Sequence, residues 1–149
     1  MKNIVVINGP NINMLGVREK KVYGKVDYKA LCKGLAKEAK RLGVGLEIFQ
    51  SNGEGEIVDK IQSLLGRADV VIINPGAYTH TSIAIRDALA AVKAPFIEVH
   101  ISNIFAREKF RAHSYVSDLA AGVVAGFGTE GYMIALRAAA GMAGRAARR

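Results

Sequence analysis

Five short apolar runs recur along the chain, and a segment with helical spacing follows each of them. The runs are nearly continuous and rich in β-branched residues, which is typical of strands buried on both faces. The five predicted strands cover residues 3–8, 44–50, 69–74, 95–100 and 122–126. Because strands and helices alternate, the pattern indicates a parallel sheet with helices on both of its faces.

Four helices are predicted between and after these strands. Asp27 is a suitable N-cap for the first helix, and Gly43 is a suitable residue to end it. The second helix is predicted over 54–65, the third over 81–92, and the last from about Glu130. We expect one α/β domain over residues 1–141, followed by a small, basic and frayed tail over 142–149.

Right-handed crossovers between such strands favour one open three-layer α/β sandwich, most simply in the flavodoxin-like strand order 2-1-3-4-5. In sheets of this kind, a ligand binds outside the carboxyl ends of the strands. The residues there are nearly all polar, in the stretches 8–11, 50–52, 74–81 and 100–103. The stretch 9–24 exceeds the median connection of about 4–6 residues, and we expect it to form a lid over that site.

Length and cysteine content narrow the class of protein. A chain of 149 residues with one cysteine suits one domain and cannot form an internal disulfide. Cys32 lies among apolar positions of the first predicted helix, so we expect a buried structural thiol. The first apolar run is too short for a signal peptide or a membrane span, and we expect a cytoplasmic protein with no membrane partner.

The net charge of +8 leaves two classes of partner open, a nucleic acid or a small anionic ligand. The basic residues are dispersed over the long loop, the first helix, the stretch 107–111 and the tail. They do not cluster with aromatic side chains, so we expect no nucleic-acid partner. The alternative from a different class is a flavodoxin-like binding module for a phosphate or a flavin, which predicts a tightly held nucleotide or a yellow protein.

Two motifs are weaker than they look. The stretch 126–131 matches the G-x-G-x-x-G pattern of dinucleotide sites, but neither a further strand nor an acidic residue follows at the required distance, so we interpret it as a tight turn. Glu98, His100 and His80 could form a two-His, one-carboxylate metal site. No fourth candidate has characteristic spacing, so we expect catalytic or hydrogen-bonding roles and no metal.

The polar residues of the loop and the strand ends suit acid–base chemistry beside a carbonyl. A tyrosine among arginines can abstract a proton, carboxamides can stabilise an enolate, and a histidine beside a glutamate can protonate a departing hydroxyl. The candidates are Arg18, Tyr23, Asn11, Asn74, Glu98, His100, Arg107 and Arg111.

A set of motifs in a fixed order then carries a resemblance. They lie in residues 8–19, 23–24, 50–52, 54–55, 73–82, 85–89, 98–103, 107, 110–111, 126–128 and 131–132. On these motifs the sequence closely resembles the type II 3-dehydroquinate dehydratases. The resemblance implies the shikimate-pathway dehydration of 3-dehydroquinate to 3-dehydroshikimate, an anti elimination through an enolate, without metal, cofactor or Schiff base.

The resemblance assigns the base to the predicted lid. Tyr23 would act as a tyrosinate on the proton at C2, with Arg18 essential to it, and Asn11 would stabilise the enolate. A free tyrosine titrates near about 10, so a tyrosinate at neutral pH needs neighbouring cations. Arg18 and Arg107 are the candidates for that role.

The remaining roles would lie at the strand ends. His100 would be the general acid for the C1 hydroxyl, oriented by Glu98 and accompanied by Asn74. The substrate carboxylate would bind to the backbone amides of Ile101 and Ser102. The ring hydroxyls would bind to the side chains of His80 and Arg111. Asp87 in this family reaches into a neighbouring subunit's site, which implies a homo-oligomer, usually a dodecamer of four trimers.

Overall fold

The computed structural model describes residues 1–17 and 26–146 and contains one sheet of five parallel strands. The strand order is 2-1-3-4-5, and every neighbouring pair is parallel, which confirms the predicted fold class and strand order. The strands are β1 Asn3–Asn8, β2 Gly45–Gln50, β3 Val70–Asn74, β4 Phe96–His100 and β5 Gly122–Ala125.

Four helices connect and follow the strands: α1 Tyr28–Leu42, α2 Glu54–Gln62, α3 Ile83–Val92 and α4 Glu130–Ala146. The Asp27 side chain caps α1 by accepting a hydrogen bond from the Ala30 amide at 2.7 Å. Gly43 ends the helix in the left-handed region, with φ 68°. Both predicted ends of α1 are therefore confirmed.

The next two helices are shorter than predicted. After Gln62 the backbone changes to tighter turns, in which the Leu64 and Leu65 amides donate to the carbonyls of Ile61 and Gln62, three residues back, so α2 ends at Gln62 and not at residue 65. In α3, the Ser82 side chain accepts from the Ile85 amide at 3.0 Å and acts as N-cap. The helix therefore begins at Ile83, after the predicted start at residue 81.

The last helix is longer than predicted. α4 continues to Ala146, so residues 142–146 are helical and not a frayed tail. Ala143 is buried in the core, and Met142 packs against the same core cluster. This apolar contact stabilises a segment whose small, basic composition alone suggests fraying. Residues 147–149 lie outside the described part of the chain.

The helices cover the sheet on both faces and form three layers. α1 and α4 pack on one face, where Leu35 and Leu136 are fully buried against alternate residues of the central strands. α2 and α3 pack on the other face through residues such as Ile61 and Ile85. The central strands are continuous in apolar residues because both of their faces are covered.

Burial differs between the centre and the edges of the sheet. After its first residue β1 is buried throughout, and β3 and β4 are fully buried. The edge strands β2 and β5 are only partly buried, so the prediction that all five strands are buried on both faces is wrong for these two. Each edge strand has a neighbour on one side only, which leaves its outer side open.

Two further predictions concern single features. Cys32 is partly exposed, so the prediction of a buried thiol is wrong. Within the described ranges, no helix is long and apolar enough to span a bilayer.

Candidate active site

A pocket lies at the carboxyl ends of the central strands. The strand order reverses between β1 and β3, so the connections after these strands diverge and leave a crevice. The pocket has a volume of about 160 Å³, a size that admits one six-membered ring. It is lined by Pro10, Asn11, Ile12, Leu15, Asn74, Gly76, Ala77, His80, His100, Ile101, Ser102, Ile104, Arg107 and Arg111.

His100 and Glu98 form a buried pair at this pocket. They lie two residues apart at the end of β4, so both side chains project from the same face of the sheet. Nε2 of His100 bonds to Oε2 of Glu98, and the two side chains are 5% and 0% exposed. A carboxylate can only accept, so Nε2 carries the proton and Nδ1 is the other nitrogen available for chemistry.

Three hydroxyls surround the Glu98 carboxylate. Ser117 Oγ donates to Oε1 at 2.6 Å, Ser114 Oγ lies 3.1 Å from Oε1, and Thr79 Oγ1 donates to Oε2 at 3.2 Å. Burial raises the pKa of Glu98, but hydrogen bonds from His100 and the two serines outweigh burial and hold that pKa below its ordinary value. Glu98 is therefore a carboxylate at neutral pH.

His80 ends the short 3-10 helix Gly76–His80 that follows β3. Its Nδ1 lies 2.7 Å from the carbonyl oxygen of His113, and since a carbonyl only accepts, Nδ1 carries the proton. Burial lowers the pKa of His80, and the charges of His100 and Arg111 lower it further. Neutral His80 therefore offers Nε2 as an acceptor, and its ring stacks on that of His100 with centroids 6.5 Å apart.

Asn74 ends β3 and is held on both sides of its carboxamide. Its Oδ1 accepts from the Gly76 amide at 3.1 Å, and its Nδ2 donates to the Tyr132 hydroxyl at 2.9 Å. The Tyr132 hydroxyl in turn donates to Asn8 Oδ1 at 2.6 Å. Burial raises the pKa of Tyr132 far above its ordinary value, so this phenol stays protonated.

Asn11 is held by its backbone on the opposite side of the pocket. It adopts the left-handed region with φ 68°, a conformation that asparagine tolerates better than most residues. Its amide donates to Asn52 Oδ1 at 3.1 Å, which connects the loops after β1 and β2. The Asn11 side chain is free of a capping role and lines the pocket.

Two arginines give the pocket its positive charge. Arg107 Nη1 donates to Ser102 Oγ at 3.3 Å, and Arg111 Nε donates to Glu108 Oε2 at 2.7 Å. The same carboxylate lies 3.8 Å from Arg107 Nε. Glu108 therefore orients both guanidiniums from the solvent side, and the pocket favours an anionic ligand.

The structure brings most of the predicted site residues together. Eight of them line the pocket: Asn11, Asn74, His80, His100, Ile101, Ser102, Arg107 and Arg111. Glu98 lies behind His100 and does not line the pocket. Asp87 is exposed on α3, away from the pocket of its own chain. Residues 18–25 lie outside the described part of the chain. They include Arg18, Tyr23 and most of the second half of the predicted lid.

Several residues of the site were missed from the sequence. Ser114 and Ser117 come from the connection between β4 and β5, outside the stretches that directly follow the predicted strands, and their contact with Glu98 has no local sequence signal. Glu108 and Tyr132 were likewise not assigned to the site, although Tyr132 stands in a motif that carried the resemblance. Ile12 and Leu15 supply apolar walls from the first half of the predicted lid.

Neither weak motif acquires a ligand-binding geometry. Gly126 and Gly128 have positive φ values of 93° and 61°, and the Gly131 amide donates to the Gly128 carbonyl at 3.3 Å, as in a tight turn. Among residues 1–17 and 26–146, no group of three or more His, Cys, Asp or Glu side chains is placed to hold a metal ion.

Comparison with known proteins gives a consistent result. The profile of the family described as dehydroquinase class II matches residues 2–140. A 3-dehydroquinate dehydratase of Wolinella succinogenes is 57% identical over 133 residues, which cover 89% of this chain and 80% of that protein. A catabolic 3-dehydroquinase 1 of Fusarium vanettenii is 55% identical over 134 residues, covering 90% and 93%. The solved type II dehydroquinase of Butyrivibrio crossotus has a TM-score of 0.91 and 46% identity, covering 93% of this chain and 97% of that one.

Proposed function

Because this chain belongs to the class II dehydroquinase family, we propose that it is a hydro-lyase that dehydrates 3-dehydroquinate to 3-dehydroshikimate. The observation that carries the proposal is the buried Glu98–His100 pair at a ring-sized, cationic pocket. A protonated imidazole there can supply the proton that a departing hydroxyl needs. The substrate is a small anion, which suits the charge of Arg107 and Arg111.

The first step is removal of the proton at C2. Tyr23, as a tyrosinate, takes that proton, and the electron pair moves onto the C3 carbonyl oxygen to form an enolate. Arg18 and Arg107 favour the tyrosinate by their positive charge. Asn11 stabilises the enolate, directly or through a water.

The second step is loss of the C1 hydroxyl. His100 donates a proton from its imidazolium, the C1–O bond breaks, and the enolate collapses to the conjugated enone with release of water. Glu98 holds the imidazolium from behind, and Asn74 accompanies His100 at the pocket. Proton transfer from a positioned histidine contributes about 10² to 10⁴ in rate.

Binding uses the groups around this pair. The backbone amides of Ile101 and Ser102 meet the substrate carboxylate, and His80 and Arg111 hold ring hydroxyls. His80 suits this role because its neutral Nε2 accepts a hydrogen bond. Asp87, exposed on α3, completes the site of a neighbouring subunit in a trimer-based dodecamer. A cytoplasmic location and the absence of a cofactor stay predictions.

A direct assay tests the function. Purified protein is mixed with 3-dehydroquinate, and the ultraviolet absorbance of the conjugated enone is followed with and without a chelator. We expect an equal rise in absorbance in both samples. No rise would contradict the dehydratase proposal, and a rise abolished by the chelator would contradict a metal-free reaction.

A further inference from the structure

Residues 113–118 form a loop segment to which no role in the reaction has been assigned above. This segment contacts Glu98, the partner of His100, and also contacts His80. Its Ser117 donates to Glu98 Oε1 at 2.6 Å, and its Ser114 lies within 3.2 Å of both Glu98 oxygens. Its His113 carbonyl accepts from His80 Nδ1 at 2.7 Å. One short segment therefore holds the partner of His100 and also His80 itself.

The hydrogen bonds within the segment determine which way the Ser114 hydroxyl points. Ser114 Oγ accepts from the amides of Val116 and Ser117, both at 3.1 Å. Since these two donors occupy its lone pairs, the hydroxyl proton is left to be donated. The carboxylate of Glu98, which can only accept, is the receiving group.

The segment is also anchored to two other elements. The Tyr115 amide donates to the Thr79 carbonyl at 2.8 Å, beside the pocket. Arg86 of α3 donates to the Tyr115 carbonyl at 2.8 Å and to Asp118 Oδ1 at 2.5 Å. Val116 is fully buried between these contacts. The serines are thus held in place independently of Glu98, as a positioning group must be.

We propose that residues 113–118 form a positioning element of the active site, in which Ser114 and Ser117 stabilise the Glu98 carboxylate and orient it as the anchor of His100. Two titratable groups lie on this side of Glu98: His100 on the same strand, and His80, whose ring stacks on that of His100. The positive charge of Arg111 lowers the pKa of His80. A hydroxyl dipole aimed at a carboxylate favours the charged form. Loss of the Ser117 hydroxyl therefore raises the pKa of Glu98 and loosens the hold on His100.

The test compares Ser117→Ala with wild type and with Ser63→Ala, a control at an exposed serine on the far end of α2. Infrared spectra over a pH series follow the protonated carboxyl band of Glu98, which is identified by its loss in Glu98→Gln. We expect Ser117→Ala to raise the pKa of Glu98 by about one, since a hydrogen bond to a charged group has about that effect. An unchanged pKa would overturn the proposal.

Kinetics provide the second readout. We expect kcat of Ser117→Ala to fall about tenfold with KM within about twofold, because an orienting contact to the general acid acts on the chemical step. Ser63→Ala should match wild type in both. If Ser117→Ala does not fold, Ser117→Cys keeps the shape with a weak donor and should show the same direction of change. A kcat unaltered in the folded variant would contradict the positioning role.

The inference concerns the proposed reaction, yet the two can fail separately. If wild type does not dehydrate 3-dehydroquinate, the proposed function is wrong, whereas the infrared titration still decides whether Ser117 stabilises the Glu98 carboxylate. If wild type is active and the titration shows no change in Ser117→Ala, only the positioning role is wrong.

Discussion

At the scale of single residues, the hydroxyl of Tyr132 connects two buried carboxamides in one fixed direction. The Gly76 amide can only donate, so Asn74 must present Oδ1 to it and Nδ2 to Tyr132. Tyr132 accepts there, and its own proton therefore goes to Asn8 Oδ1. A backbone amide thus sets the orientation of a pocket-lining side chain through donor and acceptor rules alone.

This relay predicts the effect of Tyr132→Phe. The change leaves Asn8 Oδ1 and Asn74 Nδ2 buried without a partner, which costs about 1–3 kcal/mol of unfolding free energy. Tyr115→Phe is the control, because the Tyr115 hydroxyl has no hydrogen bond among the described residues, and we expect a change within about 0.5 kcal/mol. Urea unfolding measures both variants, and equal stabilities would contradict the relay.

The assignment of Tyr23 as base and His100 as acid predicts a loss of turnover when either side chain is replaced. Tyr23→Phe and His100→Ala should each lower kcat by about 10² to 10⁴, because each removes a proton-transfer group. Tyr23→Phe should bind an unreactive substrate analogue almost as wild type does, which calorimetry measures. Near-normal turnover of either variant would remove that residue from its assigned role.

At the scale of elements, the caps and lengths of the helices decide what each one contributes. The ends of α1 follow from Asp27 and Gly43, whose effects act within one turn. The end of α4 does not follow from local sequence, since Ala143 is buried by contacts with the distant core of the sheet. Local capping residues therefore set the ends of α1, whereas burial against distant residues sets the end of α4.

Two truncations distinguish a packed helix end from a frayed tail. Removal of residues 142–149 should lower the unfolding free energy by about 1–2 kcal/mol, because the core loses the apolar surface of Met142 and Ala143. Removal of residues 147–149 is the matched control and should leave stability unchanged. Thermal or urea unfolding compares the two chains, and equal values would contradict a structural role for 142–146.

At the scale of the whole molecule, the proposed oligomer brings Asp87 of one subunit to the pocket of the next. Asp87 lies on an exposed face of α3 and does not line the pocket of its own chain. Its neighbour Arg86 holds the 113–118 segment through Tyr115 and Asp118. In an assembly where Asp87 reaches the next subunit, α3 would therefore contact two active sites.

Complementation between inactive subunits tests this arrangement. Asp87→Ala and His100→Ala should each be inactive as homo-oligomers. Co-expressed in one oligomer they should regain activity, because an Asp87→Ala subunit keeps its own His100 and receives Asp87 from its neighbour. The oligomers are verified by native mass spectrometry, and mixed oligomers without activity would contradict the shared site. Full activity of Asp87→Ala alone would do so as well.

The sequence by itself determined the strand order, most helix ends and the place of the pocket. Hydrophobic periodicity, caps and right-handed crossovers are local rules, and they predict which residues end the central strands. Residues that follow those strand ends then had to meet, which is why Asn11, Asn74, His80, His100, Ile101 and Ser102 line one pocket. Arg107 and Arg111 line it from beyond the strand ends.

Only the tertiary structure decided the groups that hold those residues. Tyr132 and Asn8 are 124 residues apart in the chain, and Ser117 and Glu98 are 19 apart on different elements. It also decided that α4 extends to Ala146 and that Ala143 is part of the core. The physical reason is the same in each case: hydrogen bonding and burial depend on which distant atoms meet, and periodicity along the chain carries no record of that.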